Sequence, residues 1–243
     1  MIKKQKYIIV FLMTLFSLSS LLYAAQNPLK DPLTSHEIGL VRIAATAAKG
    51  DLEGLKKELN KALDDGLTVN QIKEGIIHLY AYAGFPRSIR GLQTLIEVLE
   101  ERRAKGIVDP LGAEASPIRN DKTKYDRGKA ILEQLTGTPE RDPKTGYAAF
   151  APTIEVFLKE HLFADIFERD VLSYAERELV TVSVLASIGG VEPMLKSHLT
   201  ICLNVGLSEE KLRQFISVIE STVGKKEGLD AKKVLDGVLA DKK

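Results

Sequence analysis

Between Thr34 and Gly84 the chain sets out a series of helix starts and stops, and it sets them out again 139 to 140 residues later. Thr34-Ser-His-Glu37 is a capping box: the cap hydroxyl accepts an orphan backbone N–H, and the acid three residues on bonds back to the cap's own N–H. Ser173-Tyr-Ala-Glu176 repeats it. Leu40-Val41 recurs as Leu179-Val180, Gly50 as Gly190, Gly66-Leu-Thr68 as Gly206-Leu-Ser208, and Gly84 as Gly224. The offset is 139 at the first box and 140 from Gly190 onward, which puts one inserted or lost residue inside the first repeated helix. Self-similarity of this kind is the mark of a repeated supersecondary unit. It predicts an all-α chain in which two related helical halves form one compact domain.

Periodicity fills in the elements. A helix after Thr34 carries Leu40, Val41, Ile43, Ala44 and Ala47, and a second, capped by Asp51, carries Leu52, Leu55, Leu59, Ala62 and Leu63. A third begins at the Thr68/Gln71 box, keeps Ile72, Ile76, Leu79 and Ala83 on one face, and ends at Gly84 and Pro86. A fourth runs from about Ser88 to Ala104. Residues 105–124, with two Gly and two Pro and no periodicity, read as a linker or extended arm, 125–136 as a short helix, 137–147 as loop, and Pro152 to about Phe163 as a helix. The expected organisation is a first repeat over 26–104, a linker with a short helix over 105–150, and a second repeat over 151–243.

Residues 1–25 differ in kind. Lys3, Lys4 and Lys6 precede an apolar run from Ile8 to Leu22, and Tyr23-Ala24-Ala25 offers small residues for cleavage. This reads as a secretory signal, since the run falls short of the ~20 residues of a spanning helix. The expectation is an exported protein, periplasmic or extracellular, that has no membrane segment once the signal is removed. A net charge of +1 gives no argument for nucleic acid. With Cys202 as the one cysteine, no disulfide can form within the chain.

Polar chemistry gathers at the end of the third helix, which presents His78, Tyr80 and Tyr82, with Arg87 and Arg90 just beyond. Arginines there could hold a carboxylate bidentately.

The stretches Gly66-Leu-Thr68 with His78-Leu-Tyr-Ala-Tyr-Ala-Gly-Phe-Pro86, and Phe157 to Ser173 with Glu176-Arg-Glu-Leu-Val180, resemble the two halves of a tandem carboxymuconolactone decarboxylase-like protein. The resemblance spans residue 33 to about 224. It implies the all-α fold shared with alkylhydroperoxidase D, a homo-oligomer (trimer or hexamer), and one of two chemistries: cofactor-free decarboxylation of a carboxylated lactone, or thiol-dependent peroxide reduction. The thiol branch carries a Glu, a Cys-x-x-Cys and a His that relay a proton. Here Glu178 and His198 match the acid and base, whereas Val191 and Met194 stand at the cysteine positions. In the first half the positions matching Glu178 and His198 are Gly39 and Glu58.

The site expected from these readings has His198, Glu178 and His78 as catalytic groups and Arg87, Arg90 and Tyr82 as substrate contacts, with no cofactor and no metal. The leading function is decarboxylation or proton transfer on a small carboxylated or lactone substrate. The alternatives are a peroxidase-type activity, which lacks its dithiol, and a non-catalytic oligomeric binding protein. Cys202 follows His198 by one helical turn, but its first-half counterpart is Ala62, a small apolar position that suits an inert buried thiol.

Overall fold

The computed structural model describes residues 31–118 and 121–242; the signal segment expected at 1–25 lies outside them. The described residues form helices and connecting loops without a strand. The compact unit runs from Leu33. Its first half comprises α1 (Ser35–Lys49), α2 (Leu52–Asp64) and α3 (Val69–Ala104). The connecting region holds α4 (Lys124–Thr136) and α5 (Gly146–Phe150). The second half follows with α6 (Pro152–Phe157), a π-helical segment (Leu158–Ile166), α7 (Tyr174–Ile188), α8 (Glu192–Asn204), α9 (Glu209–Thr222) and α10 (Lys225–Asp241).

All three predicted capping boxes are formed, at Thr34/Glu37, Thr68/Gln71 and Ser173/Glu176. At Gly84 the helical ladder of α3 breaks, with φ 80° and ψ 162°. Its counterpart Gly224 adopts φ 149° and ψ 163° ahead of α10, so the two halves bend at equivalent glycines. The inserted residue is not inside the first repeated helix, because α1 and α7 are both 15 residues long. It lies in the following turn, where Gly189 and Gly190 stand in place of the single Gly50.

α1 and α7 pack against each other at the centre, and each reaches into the other half's core. Val41 and Ala45 of α1 join the apolar cluster built from α8, α9 and α10, while Val180 and Val184 of α7 join the one built from α2 and α3. Val41 and Val180 are 139 residues apart, as are Ala45 and Val184, so the exchange is between equivalent positions. Leu33 and Leu172 cross in the same reciprocal way. The halves are thus related by an approximate two-fold, each completing the apolar cluster of the other.

The arm beyond α3 is tied down. Its Pro110 and Leu111 carbonyls accept from the Val69 and Asn70 N–H groups, which the first turn of a helix leaves without partners. The Ser116 N–H then donates to Asp170 in the second half. Two other expectations change. The stretch read as loop to 147 passes into the short helix α5, and the helix expected from Pro152 to about Phe163 turns π-helical at Leu158. That segment seats Lys159 within reach of Glu140, Glu155 and the Tyr125 hydroxyl of α4, with its ammonium 4.7 Å from the Tyr125 ring centre. No described helix is long and apolar enough to cross a membrane.

Candidate functional site

α7 is buried from Arg177 to Ser187, so its polar side chains look for partners inside the protein. Thr181, Ser183 and Ser187 donate to the carbonyl one turn back. Glu178 has 0% side-chain exposure, and its Oε2 accepts from Nδ1 of His198 on α8 at 2.8 Å. With Nδ1–H committed to the carboxylate, the neutral ring presents its lone pair at Nε2, which has no hydrogen bond among the described residues. His198 keeps 14% of its side chain exposed. A base oriented by a buried acid, with its other nitrogen free, is the arrangement that general acid–base chemistry uses.

His78, on α3, is satisfied at both nitrogens. Arg177 can only donate, so Nδ1 of His78 accepts from it at 3.3 Å; Nε2–H then donates to the Thr181 hydroxyl at 2.8 Å, and that hydroxyl donates to the Arg177 carbonyl. Burial, then the neighbouring Arg177 charge, pushes the His78 ring well below its ordinary range. Arg177 in turn bonds Glu74 at 2.7 Å, and Arg169 closes on the same carboxylate at 2.9 Å. Burial works to raise the Glu74 carboxyl, but the bonds from the two arginines outweigh it and hold it below the usual value.

Tyr82 joins the parts. Its ring lies 5.5 Å from the His78 ring and 5.6 Å, edge-on, from that of His198. Burial, then the Glu178 charge, raises its phenol. The same residue lines a cleft of about 420 Å³ with Ala48, Lys49, Arg87 and Ser187 among its walls. Arg87 is exposed there and packs over Gly50, where an added Cβ would stand 1.5 Å from its Nη1. Lys49 is paired with Glu227 of α10 at 3.1 Å.

The structure therefore brings His198, Glu178, Tyr82 and His78 into one cluster, with Arg87 on the cleft that Tyr82 shares. Arg90 is placed elsewhere: it bonds Gln93 at 3.1 Å and approaches Glu97 at 3.7 Å along the exposed face of α3. Sequence reading missed Glu74, Arg177 and Thr181. Their signal was the one-turn spacing of Glu74 to His78 and of Arg177 to Thr181, which puts each pair on one helix face.

Cys202 is fully buried, and burial, then the Glu178 charge, pushes its thiol well above the usual range. The first half has no such relay. A Cβ on Gly39 would meet Leu67 Cδ1 at 2.9 Å, leaving no room for an acid, and Glu58 instead approaches Arg42 at 3.5 Å. No group of three or more His, Cys, Asp or Glu side chains suited to a metal occurs among the described residues.

Residues 152–236 match the model of the carboxymuconolactone decarboxylase family. Over 98 residues, 40% of this chain and 72% of the relative, the sequence is 26% identical to a 4-carboxymuconolactone decarboxylase of Acinetobacter baylyi. Over 59 residues, 24% of this chain, it is 32% identical to an uncharacterized protein of Methanocaldococcus jannaschii, of which it spans 55%. The matched span holds Glu178 and His198, while His78, Tyr82 and Arg87 come from outside it. Over its second half, then, the chain is similar to the carboxymuconolactone decarboxylase family.

Proposed function

We propose that this protein is a cofactor-free enzyme that decarboxylates, or moves a proton on, a small carboxylated or lactone substrate, with His198 as the proton-transfer group. The observation that carries the reading is the 2.8 Å bond from His198 Nδ1 to a fully buried Glu178, which leaves Nε2 to act. Arg87 holds a substrate carboxylate in the cleft, and Tyr82 joins that cleft to the His198 ring. In the decarboxylation, the electron pair of the breaking C–C bond passes to the substrate as an enolate when carbon dioxide leaves. His198, carrying a proton at Nε2 in this step, gives that proton to the carbon and regains one from water, whose hydroxide takes up the carbon dioxide as bicarbonate. The family match of residues 152–236 and the likeness to the relative from Acinetobacter support this chemistry. No observation favours the peroxidase alternative, because burial keeps the Cys202 thiol protonated.

The test is carbon dioxide release from a panel of carboxylated lactones and β-keto acids. His198→Ala and Glu178→Gln should lower turnover by about 10²–10⁴-fold while circular dichroism stays unchanged. Equal rates in wild type and both variants would remove His198 from the mechanism, and no turnover of any panel member would leave the binding-protein reading in its place. We further propose export with loss of residues 1–25 and assembly as a homo-oligomer. The intact mass of the protein recovered from the secreted fraction and light scattering test the two in turn.

A further inference from the structure

Besides Arg177 Nε, two polar atoms of this site are buried without a protein partner among the described residues: the Tyr82 hydroxyl and Oε1 of Glu178. They share one neighbourhood. The Tyr82 ring stands edge-on to His198, His198 holds the other oxygen of the same carboxylate, and the Glu178 charge acts on the phenol. The Thr181 hydroxyl, which accepts from His78 and donates to the Arg177 carbonyl, also lies beside the phenol and acts to lower its pKa, but it makes no hydrogen bond of ordinary geometry with it, and it leaves Glu178 Oε1 unmet. A buried phenol has a proton to give and a buried carboxylate oxygen has lone pairs to fill, and leaving either unmet is costly. A water molecule meets both needs at once.

Resting on the role proposed for His198, we propose that Tyr82 is a positioning residue for the Glu178–His198 pair. It acts through a buried water that accepts from its hydroxyl and donates to Glu178 Oε1. The first half of the chain thereby supplies the group that tunes the relay of the second. Drawing negative charge toward Oε1 weakens the pull of Oε2 on the Nδ1 proton, and so sets the basicity of Nε2. The titratable groups facing His198 are Glu178 and, behind it, Arg177 on α7; His78 and Tyr82 on α3; and Cys202 on α8 itself. His78 is held neutral and Cys202 protonated, so neither relays an effect of the phenol, and the route through Glu178 is told from the direct ring contact by removing the carboxylate.

The experiment is an NMR titration of the His198 ring, with thermal midpoints, in wild type, Tyr82→Phe, Glu178→Gln and the double variant. Tyr82→Phe keeps the ring and its packing. It should raise the His198 pKa by several tenths of a unit and lower the midpoint, because Oε1 loses its donor; in the Glu178→Gln background the shift should vanish. An unmoved His198 together with a raised midpoint is what removal of a truly unbonded hydroxyl gives, and it overturns the proposal. So does a shift that persists without the carboxylate. The titration needs no substrate, so it stands apart from any failure to find turnover.

Discussion

His78 and His198 are both imidazoles on buried helix faces, and the bonds around them give them opposite parts. His198 spends one nitrogen on Glu178 and keeps the other; His78 spends both, between Arg177 and Thr181. His78 therefore serves the architecture, and its titration appears in stability. Its pKa in the folded protein lies well below the ordinary 6.5, so the unfolded chain takes up a proton that the native state refuses. The contribution of His78 is complete above pH 6.5 and is lost as pH falls below it, at up to about 1.4 kcal/mol per pH unit. Glu74, with an ordinary value of 4.5 that folding lowers, adds its own loss only below that pH. The thermal midpoint of the wild type should thus fall between pH 6.5 and 5, and His78→Gln should flatten that slope. An equal slope in the variant would mean that other groups carry the pH dependence. Sequence brought His78 to notice but could not assign its part, since the deciding neighbours, Arg177 and Thr181, lie 99 and 103 residues away.

The helices were legible where punctuation is local. Capping boxes and a Gly-x-Pro stop act within a turn, and the structure places them as read. The π-helical segment was not, because the pattern of Leu158, Phe163 and Ile166 does not distinguish one turn winding from another; packing on α4 decides it. That contact is made at a glycine. A Cβ on Gly128 would lie 1.9 Å from the Lys159 carbonyl oxygen, a backbone atom that cannot swing aside. Gly128→Ala should cost at least the ~1–3 kcal/mol of ordinary overpacking and separate α4 from the π-helical segment. Gly237 of α10 has nothing within 4 Å of an added Cβ, so Gly237→Ala should stabilise by roughly 0.5–1 kcal/mol through helix propensity alone. Urea midpoints of the two variants check both signs. Similar effects at the two positions would mean that the close approach of α4 to Lys159 is not present in solution.

At the scale of the molecule, the repeat legible in the sequence has a physical consequence that spacing alone did not show. Because Val41, Ala45 and Leu33 complete the core of the second half, and Val180, Val184 and Leu172 that of the first, neither half can close its apolar surface alone. The site has the same dependence: Glu178 and His198 come from one half, Tyr82 and Arg87 from the other. Loss of the relay from the first half at Gly39 and Glu58, and of the His78–Tyr82 end from the second, is tolerable only in a chain that always folds as both. Residues 33–104 and 151–243 expressed separately should therefore lack a cooperative thermal transition, whereas the whole chain should show one. Mixing the fragments should restore some of it, since the exchanged side chains sit at equivalent positions across the α1–α7 contact. Two fragments that each melt cooperatively on their own would show that the crossing residues are dispensable, and that the halves are independent domains meeting at a site.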